Sequence, residues 1–209
     1  MLHIIRGRNA KLNHKARYAL RPIPPRPEGR GFSGIPVTPI VLLDLVIRPA
    51  LLLLPERMDT ADAELLMLAT AYQESKLKFR RQMPSGPARG WWQMEGGPYS
   101  GIAQVLTHRS TADLAREACE DLCVPLGLGD DGSRANIHEA MEYCDLLAAV
   151  FARLLYYTDR DPLPKSREDA YSYYVRNWHP GHERPEDWLE SWERARGALL
   201  TSERDTQEV

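Results

Sequence analysis

Glu74 is the side chain of this sequence that is best placed for acid–base chemistry. It closes a segment of helical pattern, and steps of three, four and seven residues back place Ala71, Thr70 and Met67 on its face. A carboxyl group on such a small, mostly apolar face loses part of its hydration, and desolvation raises a carboxyl pKa. A glutamate at a helix end is otherwise usually a solvated surface charge. The spacing therefore predicts a glutamic acid able to donate a proton near neutral pH.

A segment rich in glycine and proline follows this helix and carries the next polar candidates. Turn residues at 84–87, Gly90 and 96–98 enclose a short apolar stretch of two tryptophans, Gln93 and Met94. This pattern predicts a small hairpin or irregular lobe, in which alternation would bury one tryptophan and expose the other. Glu95 is the acid nearest to Gln93 that could supply a second carboxylate.

The remaining pattern is helical and places the candidate residues on a mainly α scaffold. Asp59 and Asp62 resemble an N-terminal capping arrangement for the helix that ends at Glu74, and its predicted buried stripe is Ala61, Leu65, Leu68 and Tyr72, widened by Leu66 and Ala69. Residues 136–157 predict one long helix, apolar nearly all round from 143 to 155, which is typical of a buried central helix. Further helices are predicted at 40–47, with Pro49 as a kink or end, at 101–106, at 167–178, and from Pro185 with Trp188, Trp192, Ala195 and Leu199 on one stripe.

The charge distribution divides the chain into a basic arm and an acidic body. The 209 residues include 27 Lys and Arg against 29 Asp and Glu, but eight of the basic residues and only one acid lie in residues 1–32. The arm is therefore +7 and the rest is −9. Six of the sixteen prolines lie in 1–39 and favour extended chain. We expect an extended arm at 1–39, one folded domain at 40–200 and a polar tail at 201–209.

Several site classes are not expected from this sequence. The longest apolar run, 40–54, is interrupted by Asp44, Arg48 and Pro49, so we expect no membrane-spanning segment. No signal peptide pattern is visible at the N-terminus. The three cysteines lack zinc-ligand spacing and predict reduced thiols. His179 and His182 are separated by a Pro-Gly turn, so we expect no metal site and no cofactor.

Three segments together resemble the lysozyme-like superfamily, in particular the lytic transglycosylases and goose-type lysozymes. The first is Ala71-Tyr72-Gln73-Glu74-Ser75, similar to the catalytic Glu-Ser that closes a helix in that family. The second is Gly90-Trp91-Trp92-Gln93, nineteen residues beyond Glu74 at its glutamine, where the family has a Gly-Leu-Met-Gln-like turn. The third, 171–181, resembles the Tyr-containing helix end that lines the far wall of the family's cleft. The resemblance covers roughly residues 56–200, extends to chains encoded by tailed bacteriophages, and implies an α+β lysozyme-like fold with a small hairpin lobe.

The resemblance also implies a reaction and a set of site residues. The family cleaves the β-1,4 MurNAc-GlcNAc bond of peptidoglycan; in its lytic transglycosylases the sugar's 6-hydroxyl attacks and one glutamate acts first as acid and then as base. Glu74 is thus the expected catalytic residue. Glu95 is the candidate for a second catalytic carboxylate, whose use would replace the one-carboxylate mechanism. Ser75 either orients the carboxyl group or caps the helix, and Gln93 either binds sugar or satisfies the turn. Trp91, Trp92, Tyr173 and Tyr174 complete the expected substrate-binding set, one member of each pair facing the cleft.

Two functions from different classes follow from this combination. The first is a peptidoglycan-degrading muramidase or lytic transglycosylase of a phage, located in the virion or in the host cytoplasm before release. The second is a structural virion protein that keeps a lysozyme-like fold as an assembly module with little or no activity. The basic arm fits an acidic virion protein or nucleic acid as its partner, which favours a particle-bound protein in either case.

Overall fold

The computed structural model describes residues 37–207, with side chains described as far as 202, and it is mainly helical. The predicted extended arm at 1–39 lies almost entirely outside the described residues. We number the α-helices in chain order: α1 Pro39–Leu42, α2 Arg48–Leu51, α3 Ala61–Ser75, α4 Gly101–Thr107, α5 Ala112–Asp121, α6 Gly129–Ala140, α7 Asp145–Tyr157, α8 Arg167–Trp178 and α9 Pro185–Gln207. A π-helical segment, Leu43–Ile47, joins α1 to α2, and a 3₁₀ turn covers Glu56–Met58.

The first helical run passes Pro49 instead of ending there. Thr38 caps α1, with the Val41 amide donating to its hydroxyl, and the amide of Arg48 donates to the Leu43 carbonyl across the wider π turn. Because proline lacks an amide proton and its ring crowds the preceding turn, a locally widened helix accommodates it. The chain remains helical to Leu51.

Helix α7 is the buried central helix that the sequence predicts. Every residue from 147 to 156 is buried, which confirms the all-round apolar pattern. The single helix predicted for 136–157 is wrong, because the chain leaves helical geometry at 141–144 and Cys144 adopts φ −109° and ψ 84°. Asp145 then begins α7, where an acid is favoured by the helix dipole, and it accepts two hydrogen bonds from Arg80 at 2.8 and 2.7 Å.

Helix α3 confirms part of its predicted apolar stripe, since Leu66, Leu68 and Ala69 are buried, and it also buries the face of Glu74. Ala61 is exposed and Leu65 and Tyr72 are half-buried, whereas Met67, Thr70 and Ala71 have no exposed surface. The helix packs against α9 on one side and also contacts α7, α1 and the π segment. Since neighbours surround it on several sides, the face of Glu74 is buried as well.

The predicted hairpin lobe is not formed, and the described residues contain no β-strand. Residues 76–100 make turns with two isolated antiparallel bridges, one joining Arg81 to Arg89 and one joining Arg89 to Met94. Gly90 and Gln93 both have positive φ, at 73° and 46°, so the chain reverses too soon after Arg89 for a ladder to extend. The mainly α part of the predicted fold class is confirmed, and of the two alternatives for this region the structure has the irregular lobe and not a hairpin with paired strands.

We expect Gly90→Ala to destabilise the fold by about 2 kcal/mol or more, because φ is positive and an added Cβ would lie 2.9 Å from the Met141 carbonyl oxygen. Urea denaturation of the two proteins measures the difference. Gly97→Ala is the matched control, since an added Cβ there meets no atom within 4 Å. Equal losses at the two positions would contradict the packing argument.

Helix α9 confirms its predicted start and its apolar stripe but runs further than predicted. Its tryptophans at 188 and 192, Ala195 and Leu199 are buried. The helix continues into the predicted polar tail, 201–209, as far as Gln207. Ser202 anchors this end by donating a hydrogen bond to Asp44 at 2.9 Å. Among the described residues, no helix combines the length and the apolar character needed to cross a bilayer.

Candidate active site

A cleft of about 890 Å³ opens between the C-terminal end of α3, the turn region 79–101 and the end of α8 with the loop that follows it. It brings together five of the predicted site residues: Glu74, Ser75, Gln93, Glu95 and Tyr174. Other side chains along its wall include Phe79, Tyr99, Asn177, Trp178, His179 and Arg184. The mixture of a carboxyl group, amides and aromatic rings is typical of a site for a polar organic ligand.

Glu74 reaches the cleft from the last turn of α3. Its side chain is only partly accessible, and its Oε1 accepts a hydrogen bond of 2.6 Å from the Tyr174 hydroxyl. Burial raises the pKa of Glu74 to about 7, against the opposing effects of this hydrogen bond and of the nearby Arg184 charge. The carboxyl group is therefore close to half-protonated at neutral pH, as a general acid that must later act as a base requires.

Tyr174 is held in position by aromatic packing. Its ring stacks on Trp188 with centroids 5.1 Å apart and an interplanar angle of 17°. Burial, and then the nearby negative charge of Glu74, raise the pKa of Tyr174 well above its ordinary value. The phenol consequently keeps its proton and remains a hydrogen-bond donor to Glu74 in both protonation states of the carboxyl group.

The two predicted tryptophans support the cleft from behind instead of lining it. Trp91 and Trp92 both have no exposed surface, so the expectation that one of them faces ligand is wrong. The reason is that the segment is a turn, in which neighbouring side chains need not point to opposite faces. Trp92 donates its indole N–H to the Met67 carbonyl at 2.9 Å, and Arg80 stacks over Trp91 at 4.1 Å.

A third tryptophan connects the same turn to α8 and lines the cleft. Trp178 donates its indole N–H to the Trp92 carbonyl at 3.0 Å. Together with the bond from Trp92 to Met67, this fixes the turn between the helix that carries Glu74 and the helix that carries Tyr174. Trp178 lies in segment 171–181, which resembles the cleft wall of the lysozyme-like superfamily, but the sequence did not single it out. Its hydrogen bond to Trp92 depends on tertiary packing, which local sequence does not show.

Ser75 and Gln93 use their side chains mainly on local backbone. The Ser75 hydroxyl donates to the Ala71 carbonyl at 2.8 Å and accepts from the Leu77 amide at 3.2 Å, which favours the capping alternative. The Gln93 amide nitrogen donates to the carbonyls of Gly90 at 2.8 Å and Phe79 at 3.3 Å. Gln93 therefore stabilises the turn, although the residue also lines the cleft.

Glu95 and Tyr173 occupy contrasting positions. Glu95 is exposed at the cleft wall. Tyr173 is buried and donates its hydroxyl to the Tyr156 carbonyl at 3.0 Å, so of the tyrosine pair only Tyr174 lines the cleft, as the expected division of the pair implies.

Gln73 and Arg184 form a support that the sequence did not reveal. The buried Gln73 donates to the Arg184 carbonyl at 3.1 Å and accepts from the Ser191 hydroxyl at 2.8 Å, while Arg184 donates back to the Gln73 carbonyl at 2.9 Å. These bonds hold the loop before α9 against the end of α3. They place the Arg184 charge where it favours the carboxylate form of Glu74.

The arginines of the turn region are paired with acids of the domain. Arg89 lies 3.1 Å from Glu142, and Arg81 lies 3.4 Å from the same carboxylate. No group of three metal-binding side chains occurs among the described residues.

We expect Glu74→Gln to be more stable than the parent protein at pH 8, by about 1–3 kcal/mol. The pKa is about 7 in the folded protein against an ordinary 4.5, so the parent loses stability as the pH rises from about 4.5 to 7 and changes no further above that. The neutral amide avoids this cost. Denaturation from pH 4 to 8 measures it, and a stability difference that does not grow with pH over this interval would contradict the raised pKa.

Comparison of the chain with protein-family models, with curated proteins and with solved structures gives no match.

Proposed function

We propose that this chain is a peptidoglycan-degrading glycosidase of the lytic transglycosylase or muramidase type, with Glu74 as its single catalytic residue. The observation that carries the proposal is the Glu74–Tyr174 pair in the cleft wall, at 2.6 Å, with the pKa of Glu74 raised to about 7. The resemblance of segments 71–75, 90–93 and 171–181 to the lysozyme-like superfamily supports the same assignment.

The proposed first step is proton donation to the glycosidic oxygen. The protonated Glu74 transfers its proton as the bond from the anomeric carbon to that oxygen breaks, leaving a carboxylate on the enzyme and positive charge on the sugar ring. The Tyr174 hydroxyl and the Arg184 charge both favour the carboxylate form and thus stabilise the group as it ionises.

The second step requires a nucleophile, and two are compatible with one carboxylate. Attack by the sugar's own 6-hydroxyl gives a 1,6-anhydro product, with its proton passing to the Glu74 carboxylate. Attack by water, deprotonated by the same carboxylate, gives a reducing end. In either case the glutamic acid is regenerated and the atoms balance.

Incubation of the purified full chain with peptidoglycan, followed by mass spectrometry of the released muropeptides, tests the proposal. Anhydro ends would support transglycosylation, and reducing ends would support hydrolysis. No release of muropeptides would overturn the enzyme assignment and favour the alternative of a lysozyme-like assembly module in a phage particle.

We expect Glu95→Gln to keep activity within about tenfold of the parent. Glu95 lies exposed at the wall and is not needed as nucleophile if one carboxylate suffices. Initial rates of muropeptide release measure this. A loss as large as that of Glu74→Gln would instead make Glu95 the second carboxylate.

A further inference from the structure

A second cavity, of about 740 Å³, lies apart from the cleft and shares no lining residue with it. Both use helices α7 and α8, but the second cavity is lined by Tyr156 and Tyr173, whereas the cleft is lined by their neighbours Leu155 and Tyr174. The proposed glycosidase chemistry makes no use of this second cavity.

The lining of this cavity is unusually cationic for an acidic body. It contains five Lys and Arg residues: Arg57, Arg109, Arg153, Arg160 and Lys165. Two of its three acids, Asp159 and Asp161, are each paired with Arg176 at 2.9 Å. None of the five cations forms an ion pair with a carboxylate of the part of the chain that the structure describes. An excess of positive charge thus surrounds the cavity while the chain beyond residue 32 is −9.

Arg153 is the most informative of these cations. The residue is 4% exposed, and its Nε donates to the Met58 carbonyl at 2.9 Å. Its Nη1 is buried and has no hydrogen-bond partner among the described residues. The guanidinium lies 5.6 Å from the centre of the Tyr157 ring. Because arginine stays charged and an uncompensated buried charge is costly, this group lacks a counter-ion that a bound anion would supply.

The surroundings favour phosphate over a single carboxylate. Arg57, Arg109, Arg160 and Lys165 are exposed around the buried Arg153, and hydroxyl groups of Thr60 and Ser110 join them. A phosphate group carries up to two negative charges and three acceptor oxygens, which match several separate donors. The volume falls in the range of sites for small organic ligands.

We propose that this cavity binds a phosphate-bearing ligand, with Arg153 in its buried wall and the exposed cations around its opening. The ligand is either a free small phosphate compound or the phosphate of a phosphodiester polymer.

Isothermal titration calorimetry of the full chain with pyrophosphate, a glycerol phosphate oligomer and citrate tests the proposal and distinguishes the sources. Binding of pyrophosphate alone assigns a free ligand, and binding of the oligomer assigns a polymer. No binding of either phosphate probe up to about 10 mM, or a preference for citrate, would overturn the proposal.

Variants connect the binding to the cavity. We expect Arg153→Met, which removes the charge but keeps much of the volume, to weaken binding at least about tenfold. The double variant Arg109→Gln/Arg160→Gln changes only exposed side chains and should weaken binding and reduce its salt dependence. Arg196→Gln, an exposed arginine of α9 that does not line the cavity, is the control and should bind as the parent does. Unchanged affinity in both cavity variants would overturn the proposal.

The phosphate-binding proposal does not depend on the glycosidase proposal. Glu74→Gln should bind the phosphate probe with the affinity of the parent, because Glu74 lines the cleft and not this cavity. Loss of peptidoglycan cleavage with retained phosphate binding would therefore affect only the glycosidase proposal.

Discussion

Glu74→Gln is expected to lower the rate of muropeptide release by about 10²–10⁴-fold, the usual range for loss of a general acid or base. The amide cannot give up a proton to the glycosidic oxygen, and the enzyme has no second carboxylate in the proposed mechanism. The two rates should be measured at pH 6. Because the pKa of Glu74 is about 7, this carboxyl group is mostly protonated in the parent at that pH, which is its active form.

The substitution is designed to leave the fold intact. The new side-chain carbonyl can still accept the Tyr174 hydroxyl, and the expected gain in stability at higher pH separates loss of chemistry from loss of structure. Glu193→Gln is the matched control, an exposed helical glutamate on α9 paired with Arg196 at 3.1 Å. Activity of Glu74→Gln near that of this control would rule out Glu74 as the catalytic acid.

The sequence predicted which residues share a helix face with Glu74 better than it predicted which faces of that helix are buried. Spacing alone placed Met67, Thr70 and Ala71 on the face of Glu74, and all three are fully buried. The apolar stripe of the same helix was only partly right. Leu66, Leu68 and Ala69 are buried, but Ala61 is exposed, because α3 has neighbours on several sides and not along one stripe. Periodicity gives the relative orientation of residues on one helix, but not which partner each face meets.

The rest of the site depends on contacts between distant segments. Arg184 donates a hydrogen bond to Gln73, 111 positions away in the sequence, and Trp178 donates one to Trp92, 86 positions away. The local composition of these segments does not predict these hydrogen bonds. Trp91 and Trp92 were placed by strand alternation, a rule that does not hold in a turn with positive φ at Gly90 and Gln93.

The second large effect is expected in the pH dependence of kcat/KM, which reports ionisations of the free enzyme. With the pKa of Glu74 at about 7, activity should fall about tenfold per pH unit above that value, to roughly 1% at pH 9. The sign follows from the mechanism: the protonated form is the active one, so activity is retained below the pKa and lost above it.

The variant Tyr174→Phe tests whether this alkaline fall in kcat/KM reports the pKa of Glu74. The hydrogen bond from Tyr174 lowers the pKa of Glu74, so its removal should move the alkaline fall to higher pH. Tyr171→Phe is the matched control on the same helix, because the Tyr171 hydroxyl is buried with no hydrogen-bond partner among the described residues. A shift in Tyr174→Phe alone assigns the hydroxyl to tuning the acid. An alkaline fall that stays near pH 7 in Tyr174→Phe, or that moves equally in the control, would show that the fall does not report the Glu74–Tyr174 pair.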